Sequence, residues 1–465
     1  MSIASKTVAA RLPDIVGPKH VTTDPSQLSA YAVDGRVPAA AVRPGSSEEV
    51  VEVVKYAAAE KLALIASGAR TKLGIGSPPL RYDIALDLTR MDRVIAYDPG
   101  DLTLCVEAGI PLKKLSSTLA EHRQFLPLLV PYFDRATAGG TIASGVDSPL
   151  RQFFGTARDY VLGMEFVFGD GVHSKSGGRV VKNVTGYDLH KLMIGALGTL
   201  GVITRVNFKT FPSPVSTHGL LATFDSVEQA IGMRHSIAQS PLTPLTLEIL
   251  SPRIAELFLS SATTRCETAI PSSAILSARH WTVAAAYAGR PEVLARYESE
   301  LRRIAAECGA ASVSVLDDNT RPAVWGRLRE SLPILLDSSP ATTIVKIGVL
   351  PNRMKEVLNT AVRAADAKQL PWAALARGLG VIYFALLPRE RGDDSLREAA
   401  TATNQIIAAV AAMEANATIP WCPPEWKSSV KLWGMERADI AQMKKVKKIF
   451  DPHGIFSPGR FAGGI

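Results

Sequence analysis

Two stretches of this chain have the residue types that let a backbone touch a ligand. Ser67-Gly68-Ala69-Arg70-Thr71-Lys72-Leu73 follows the apolar run Leu62 to Ala66. A turn placed there leaves several backbone N–H groups unpaired and pointing outward, with Arg70 and Lys72 alongside, which is how a chain cradles a phosphate. An ordinary solvated turn has the same composition and stays open as the alternative. The second stretch is Thr137-Ala138-Gly139-Gly140-Thr141-Ile142-Ala143-Ser144-Gly145, in which only Ile142 is bulky. Small residues permit close approach of backbone and ligand, although a tight packing turn also uses them. Neither stretch is a Gly-x-Gly-x-x-Gly after the first strand or a Walker loop. A phosphate-bearing ligand, held otherwise than in a Rossmann domain, is the chemistry these segments suggest.

The elements that must position them begin as a β-α-β unit. Ala41 and Val42 end a strand at Arg43-Pro44, and Ser46 followed by Glu49 has capping-box spacing, opening a helix through Val50, Val53, Val54 and Ala57. The strand Leu62 to Ala66 then runs into the first candidate loop. Val202 to Phe211 is strand-like and stops at Pro212-Ser213-Pro214, where two prolines in three residues break ladders and helices alike. Beyond it, longer helices alternate with strands: Pro291 to Cys308 has helical spacing, Ser312 to Leu316 alternates, Thr342 to Leu350 is β-branched, and Ser395 to Met413 is an Ala-rich helix. That order predicts helices on one face of a largely antiparallel sheet.

With 465 residues, 47% apolar and 21% charged, the chain falls in the ordinary globular range and is long enough for two or more domains. Lys plus Arg is 52 and Asp plus Glu is 44, a net charge of +8. The excess is dispersed except for Lys444, Lys445, Lys447 and Lys448. Ile440, Met443, Val446 and Ile449 recur every three residues, which predicts an apolar stripe inward and all four lysines on the wet face of a helix stopped by Pro452. No aromatic interleaving points to nucleic acid. Cys105, Cys266, Cys308 and Cys422 are too far apart for a zinc or iron–sulfur site. The N-terminus lacks the charged head and apolar run of a signal peptide, and no run of about 18 apolar residues occurs. A cytoplasmic protein, possible at the inner face of a membrane only as a peripheral one, is the expectation.

Taken in order, several segments resemble the flavin-binding fold shared by vanillyl-alcohol oxidase, p-cresol methylhydroxylase and the bacterial glycolate oxidase subunits. They are Ala41-Val42-Arg43-Pro44, the Ser67 to Gly74 string, Asp87-Leu88-Thr89-Arg90-Met91, Val106-Glu107-Ala108-Gly109 and the Thr137 to Gly145 tract. Phe154-Gly155-Thr156-Ala157-Arg158-Asp159, Gly178-Arg179-Val180-Val181-Lys182-Asn183-Val184-Thr185-Gly186-Tyr187-Asp188-Leu189, Gly195 to Thr204 and the tail Phe450 to Phe461 complete the set. The Gly178 to Leu189 string is most similar to the FAD-binding subunit of glycolate oxidase.

The resemblance implies an α+β protein. A two-subdomain FAD-binding domain of the p-cresol methylhydroxylase type would cover 1–214, an α+β cap or substrate domain 215–425, and a C-terminal segment, 426–465, would return to the FAD domain. It implies that Ser67, Gly68, Ala69, Arg70, Thr71, Lys72 and Leu73, with Thr137, Ala138, Gly139, Gly140, Thr141, Ala143 and Ser144, wrap the pyrophosphate and ribityl chain of FAD. Gly201, Val202 and Ile203 would meet the adenine end. Some relatives attach FAD covalently through a His in the first loop, and Ser67 to Thr71 offers neither His nor Cys, so non-covalent FAD is implied.

Three residues are catalytic candidates. By its place in the Pro-Gly-Arg tail, Arg460 would return to the flavin ring and stabilise negative charge there; a surface arginine near the terminus is the alternative. Arg329 follows Trp325 by four residues rather than the three of hydroxy-acid dehydrogenases, whose carboxylate-binding arginine it resembles; a solvated helix arginine is the alternative. Lys346 interrupts an apolar strand and is either an edge residue or faces a cleft. Lys182 and Tyr187 invite an acid–base reading, against a polar-capped helix start with Tyr187 packed under the flavin domain. No histidine falls between His280 and His453, so the His-rich metal cluster of the related dehydrogenases has no counterpart and no metal is expected.

The reading is an FAD-dependent oxidoreductase acting on CH–OH donors, in which a small 2-hydroxy acid delivers hydride to flavin. Electrons would pass to a second flavoprotein subunit and an iron–sulfur subunit. A self-sufficient oxidase or dehydrogenase of a sugar, lactone or alcohol, and a non-catalytic flavin-binding structural subunit, are the alternatives.

Overall fold

The computed structural model describes residues 8–179, 186–260 and 269–465. The chain forms two compact units, one of Met1–Asp147, Thr156–Ser213 and Glu436–Ile465, the other of Ser148–Gly155 and Pro214–Met435.

In the first unit, β1 (Val21–Thr22), β2 (Ala40–Val42), β3 (Leu64–Ser67) and β4 (Ile84–Asp87) form a sheet in the order β1-β2-β4-β3. The expected β-α-β unit is present, with the helix Ser47–Ala59 between β2 and β3, but β4 lies between the two strands and pairs parallel with each. Ser46 caps the helix by accepting from the Glu49 N–H at 3.2 Å, and the Glu49 carboxylate accepts from Gly45 N–H at 2.7 Å, one residue before the cap. A second, antiparallel sheet combines β5 (Val94–Asp98), β6 (Thr103–Glu107), β8 (Val161–Val167), β9 (His173–Gly177) and β10 (Val202–Lys209) in the order β5-β6-β10-β8-β9, and β7 (Gln124–Phe125) pairs with β11 (Phe211–Pro212). The apolar sides of both sheets share one core with the Ser47–Ala59 helix.

The last residues of the chain close onto β3. Leu64 N–H donates to Ile455 O at 2.7 Å, and Ser457 N–H donates to Leu64 O at 2.8 Å, a parallel bridge between Leu64 and Phe456. Further on, Ser77 N–H donates to Arg460 O at 3.0 Å.

The helix Ile440–Phe450 keeps Lys444, Lys445 and Lys448 on its wet face as expected and corrects that reading for Lys447. Lys447 is buried to 13% side-chain exposure, whereas Ile449 is 74% exposed. A step of three residues falls about 60° short of a full turn, so Ile440 and Ile449, three steps apart, lie on opposite sides of the helix. The Lys447 ammonium donates to Asp451 Oδ2 at 2.6 Å, to Thr199 O at 2.7 Å and to Phe456 O at 2.8 Å.

The second unit is built on one eight-stranded sheet: β12 (Thr217–Phe224), β13 (Thr246–Leu250), β14 (Trp281–Ala288), β15 (Ser312–Leu316), β16 (Thr343–Gly348), β17 (Trp372–Arg377), β18 (Val381–Leu386) and β19 (Asn416–Trp421). The order is β15-β12-β14-β13-β17-β18-β16-β19, and every neighbour is antiparallel, as the alternation of helices and strands predicted. One face packs Leu220, Ile249, Tyr287, Val345 and Phe384 against apolar residues of the helices Val227–Gln239, Pro291–Glu307, Met354–Asp366 and Asp393–Ala412. Trp426, Val430 and Leu432 join that core, which keeps the chain in this unit through Met435.

Candidate functional site

The first candidate loop leaves β3 at Ser67 and lines a groove within the first unit. Ser67, Gly68, Ala69, Arg70, Thr71, Lys72 and Leu73 all contribute, together with Thr137, Gly140, Ala143 and Ser144. The groove continues past Gly139 to Gly201 and Ile203. Leu197 and Arg460, from two further segments, join the lining. Ala138 and Val202 are buried in the core instead, and Thr141 is 2% exposed and outside the lining.

The Thr137 to Gly145 tract is a short helix, Ala138–Ser144, rather than a loop. Thr137 caps it, accepting from Gly140 N–H at 3.3 Å, and Gly145 ends it in the left-handed region at φ 59°. The small residues serve two purposes. Gly139 packs on β6's extension, where a Cβ would come within 2.6 Å of the Ala108 Cβ. Gly140 borders the groove, and a Cβ there would meet only the Thr137 hydroxyl, at 3.0 Å. Across the groove, a Cβ on Gly68 would collide with the Thr137 side chain. The end of this helix also places the third segment, since Gly195 N–H donates to Ile142 O at 3.0 Å and Leu197 N–H to Ala143 O at 2.8 Å.

Arg460 is 3% exposed and far from a frayed terminal charge. Its Nη2 donates to Leu73 O at 2.6 Å and to Ile75 O, so it straps the end of the first loop. Burial pulls its pKa below the usual arginine range, with Asp34 and Tyr82 opposing. Its Nη1 and the Ser67 Oγ are buried without a hydrogen-bond partner among the described residues. Polar atoms left this way in a groove await a ligand that supplies acceptors and donors. An anionic, hydroxyl-bearing cofactor fits that demand.

Of the other candidates, Arg329 ends the helix Arg321–Arg329 and donates from Nε to Glu330 Oε1 at 3.0 Å. Lys346 lies on β16 between β18 and β19, an interior strand and so not an edge. Its ammonium stands 5.8 Å from the Tyr383 ring centroid, and Arg377 stands over the same ring at 5.5 Å. Arg377 is paired with Glu248 at 2.9 Å, both nearly buried. Sequence reasoning passed over Arg377 and Glu248, although a charge closing the apolar run Ala373 to Ala376 is the same signal that singled out Lys346. Lys182 lies outside the described residues, and Tyr187 is 89% exposed, which removes the packed-tyrosine alternative: no apolar surface covers it. Among the described residues no group of three or more His, Cys, Asp or Glu side chains is placed to hold a metal ion, and no helix is long and apolar enough to cross a membrane.

Residues 38–176 match the FAD binding domain family, and residues 214–385 with 433–461 match the C-terminal domain of FAD linked oxidases. The chain belongs to the FAD-linked oxidase family. This oxidoreductase is 35% identical over 202 residues to the glycolate oxidase subunit GlcE of Escherichia coli, a match covering 43% of this chain and 56%, about half, of that relative. It is 23% identical to the glycolate oxidase subunit GlcD of Bacillus subtilis over 98% of this chain and 97% of the relative. Among solved structures, p-cresol methylhydroxylase superposes with a TM-score of 0.78 at 17% identity, covering 99% of this chain and 97% of the other, a likeness of fold. The FAD-linked oxidoreductase is thus homologous to glycolate oxidase subunits, and its FAD cofactor and α+β architecture agree with the resemblance carried by its motifs.

Proposed function

We propose that this FAD-linked oxidoreductase oxidises a small 2-hydroxy acid to the 2-oxo acid and passes the electrons to a partner subunit. Residues 67–73 and the N-terminal side of the Ala138–Ser144 helix hold the pyrophosphate and ribityl chain by backbone N–H groups and hydroxyls, and Gly201 and Ile203 border the adenine end. FAD, when bound, supplies the acceptor for the hydride that leaves the substrate carbon. Arg460 keeps a fixed positive charge in the groove, already aimed before the reaction and screened little because it is buried. Lys346 offers the substrate carboxylate an ammonium that no ion pair neutralises among the described residues, 5.8 Å from the Tyr383 ring centroid; Arg329, already paired with Glu330 at 3.0 Å, is the weaker cation for that carboxylate. No metal enters this scheme, since no histidine falls between His280 and His453 to build the metal cluster of the related dehydrogenases. The cofactor is held without a covalent bond, since the groove lining contains neither His nor Cys.

The observation that supports this reading best is the buried, half-satisfied Arg460 among three segments of small residues. Full-length alignment with a GlcD subunit favours work within a complex; a second flavoprotein and an iron–sulfur subunit are the partners proposed for it, and the cytoplasm the location. The test is anaerobic titration of the purified protein with glycolate, D-lactate, sugars and lactones, alone and with co-purifying chains. Bleaching by a 2-hydroxy acid, with turnover accelerated by a partner, is expected. Bleaching by sugars alone with rapid unaided turnover, or none in any setting, overturns it in favour of a self-sufficient enzyme or a structural flavin subunit respectively. Flavin that stays with acid-precipitated protein refutes non-covalent binding.

A further inference from the structure

Arg70, in the middle of the cofactor loop, has φ 61°. A side chain in that left-handed region costs about 1–2 kcal/mol that glycine would not incur. The surroundings show what offsets it. Asp87 is the ladder partner of Ser67 at the end of β4, so its carboxylate emerges where the loop begins. It is 2% exposed and its oxygens are fully engaged. Oδ1 accepts from Thr89 N–H at 2.9 Å and Thr89 Oγ1 at 2.6 Å, which locks the rotamer. Oδ2 accepts from Tyr31 Oη at 2.8 Å and from Arg70 Nη1 at 2.9 Å. The guanidinium carbon of Arg70 also stacks 4.4 Å from the Tyr31 ring centroid. Tyr31 is itself held, its carbonyl accepting from Tyr82 Oη at 3.0 Å.

We propose that Asp87 is a positioning residue for the cofactor: through Arg70 it holds the loop in its left-handed turn, and the Arg70 guanidinium shapes the loop instead of countering phosphate charge. A guanidinium already paired with a buried carboxylate and stacked on a tyrosine brings little net charge to an anion. The same two contacts convert its side chain into a tether for a backbone that would otherwise relax. The inference rests on the assignment of this groove to FAD.

The experiment compares FAD dissociation constants, by flavin fluorescence on reconstituting deflavinated protein, for wild type, D87N, R70G, R70A and the double variant D87N/R70G, with G68V as control. D87N is expected to weaken FAD by about 5- to 30-fold, the left-handed penalty at about 1.4 kcal/mol per tenfold. R70G, which needs no tether, stays within about threefold of wild type at every ionic strength. R70A, strained and untethered, falls with D87N. Adding R70G to D87N restores affinity, a rescue that a merely structural Asp87, acting through Tyr31 and Thr89, would not allow. Equal affinities for R70A and R70G overturn the proposal even if D87N does not fold. So does a large loss in R70G that grows at low salt, the mark of a phosphate ligand. If G68V keeps its FAD, the groove assignment itself fails; if G68V loses FAD while the Asp87 and Arg70 variants are unaffected, only the positioning role fails.

Discussion

Replacing Lys447 with methionine keeps the length of the side chain and removes its charge, and the structure says what that disconnects. The ammonium serves three acceptors at 2.6–2.8 Å, one of them the fully buried Asp451 carboxylate. Breaking a buried pair from one side costs about 3–5 kcal/mol, because the remaining charge is stranded. Asp451 keeps donors from Ile455 N–H at 3.1 Å and Phe456 N–H at 2.8 Å, so the lower end applies, about 3 kcal/mol. For a unit of roughly 150–250 residues each kcal/mol lowers Tm by about 2–4 °C, which places K447M about 6–12 °C below wild type. The exposed neighbour Lys444 gives the control, and K444M should melt within about 2 °C of wild type. Burial, opposed by Asp451, holds the Lys447 pKa below its ordinary 10.5. The native state therefore gives up this proton first, and between the lowered value and 10.5 the unfolded chain binds more protons. Stability from this group then rises with pH in that window, and K447M should lack the rise. Differential scanning fluorimetry across pH reads both effects. A K447M protein melting within 2 °C of wild type would refute the reasoning, as would a D451N/K447M double variant whose loss equals the sum of the singles, since partners in one buried pair must couple.

Gly140→Leu should abolish FAD content while leaving the fold intact by far-UV circular dichroism, because its side chain has only the groove to occupy; flavin absorbance of the purified variant reads it, and normal occupancy would place FAD elsewhere. Lys346→Met should keep full FAD content yet raise the hydroxy-acid concentration for half-bleaching by about 10- to 100-fold, the loss of a charged hydrogen bond of about 1.5–3 kcal/mol; unchanged titration would remove Lys346 from the substrate site. His190, 3% exposed and hydrogen-bonded through Nδ1 to Ser176 Oγ at 3.0 Å, has its pKa pulled below 6.5 chiefly by burial. The unfolded chain thus takes the proton first as pH falls below about 6.5, and stability is lost in that window. His190→Gln should flatten this acid limb in urea titrations between pH 6.5 and 5, and an equally steep limb would exclude the histidine.

What could be read in the sequence depended on whether one local pattern sufficed. The antiparallel sheet of the second unit was legible because its strands and helices alternate in period and are separated by breakers. The groove was legible because small residues cluster in two short strings. The insertion of β4 between β2 and β3 was hidden, since pairing partners leave no trace in either strand. The helical state of residues 138–144 was hidden too: Gly-Gly argues against a helix, and the Thr137 cap and the packing on Ala108 override it. The three-residue stripe misled at Lys447 because Asp451 and two carbonyls, distant in part along the chain, make a polar socket that hydropathy cannot show. Asp87 was noted only as part of a motif, and its role escaped notice for the same reason, as it lies in Arg70 and Tyr31 across the fold.

The bridge between Leu64 and Phe456, with Arg460 strapped to Leu73 and Ile75, bears on how the protein is made. At about 5–20 residues per second of synthesis, the strand that carries the cofactor loop leaves the ribosome some 20–80 seconds before the residues that complete the groove. The whole second unit emerges in the interval, so flavin loading is a late event. A chain cut short before residue 450 would retain every residue of that second unit and still lack the strap for its cofactor, which makes flavin colour a report on whether synthesis passed Arg460.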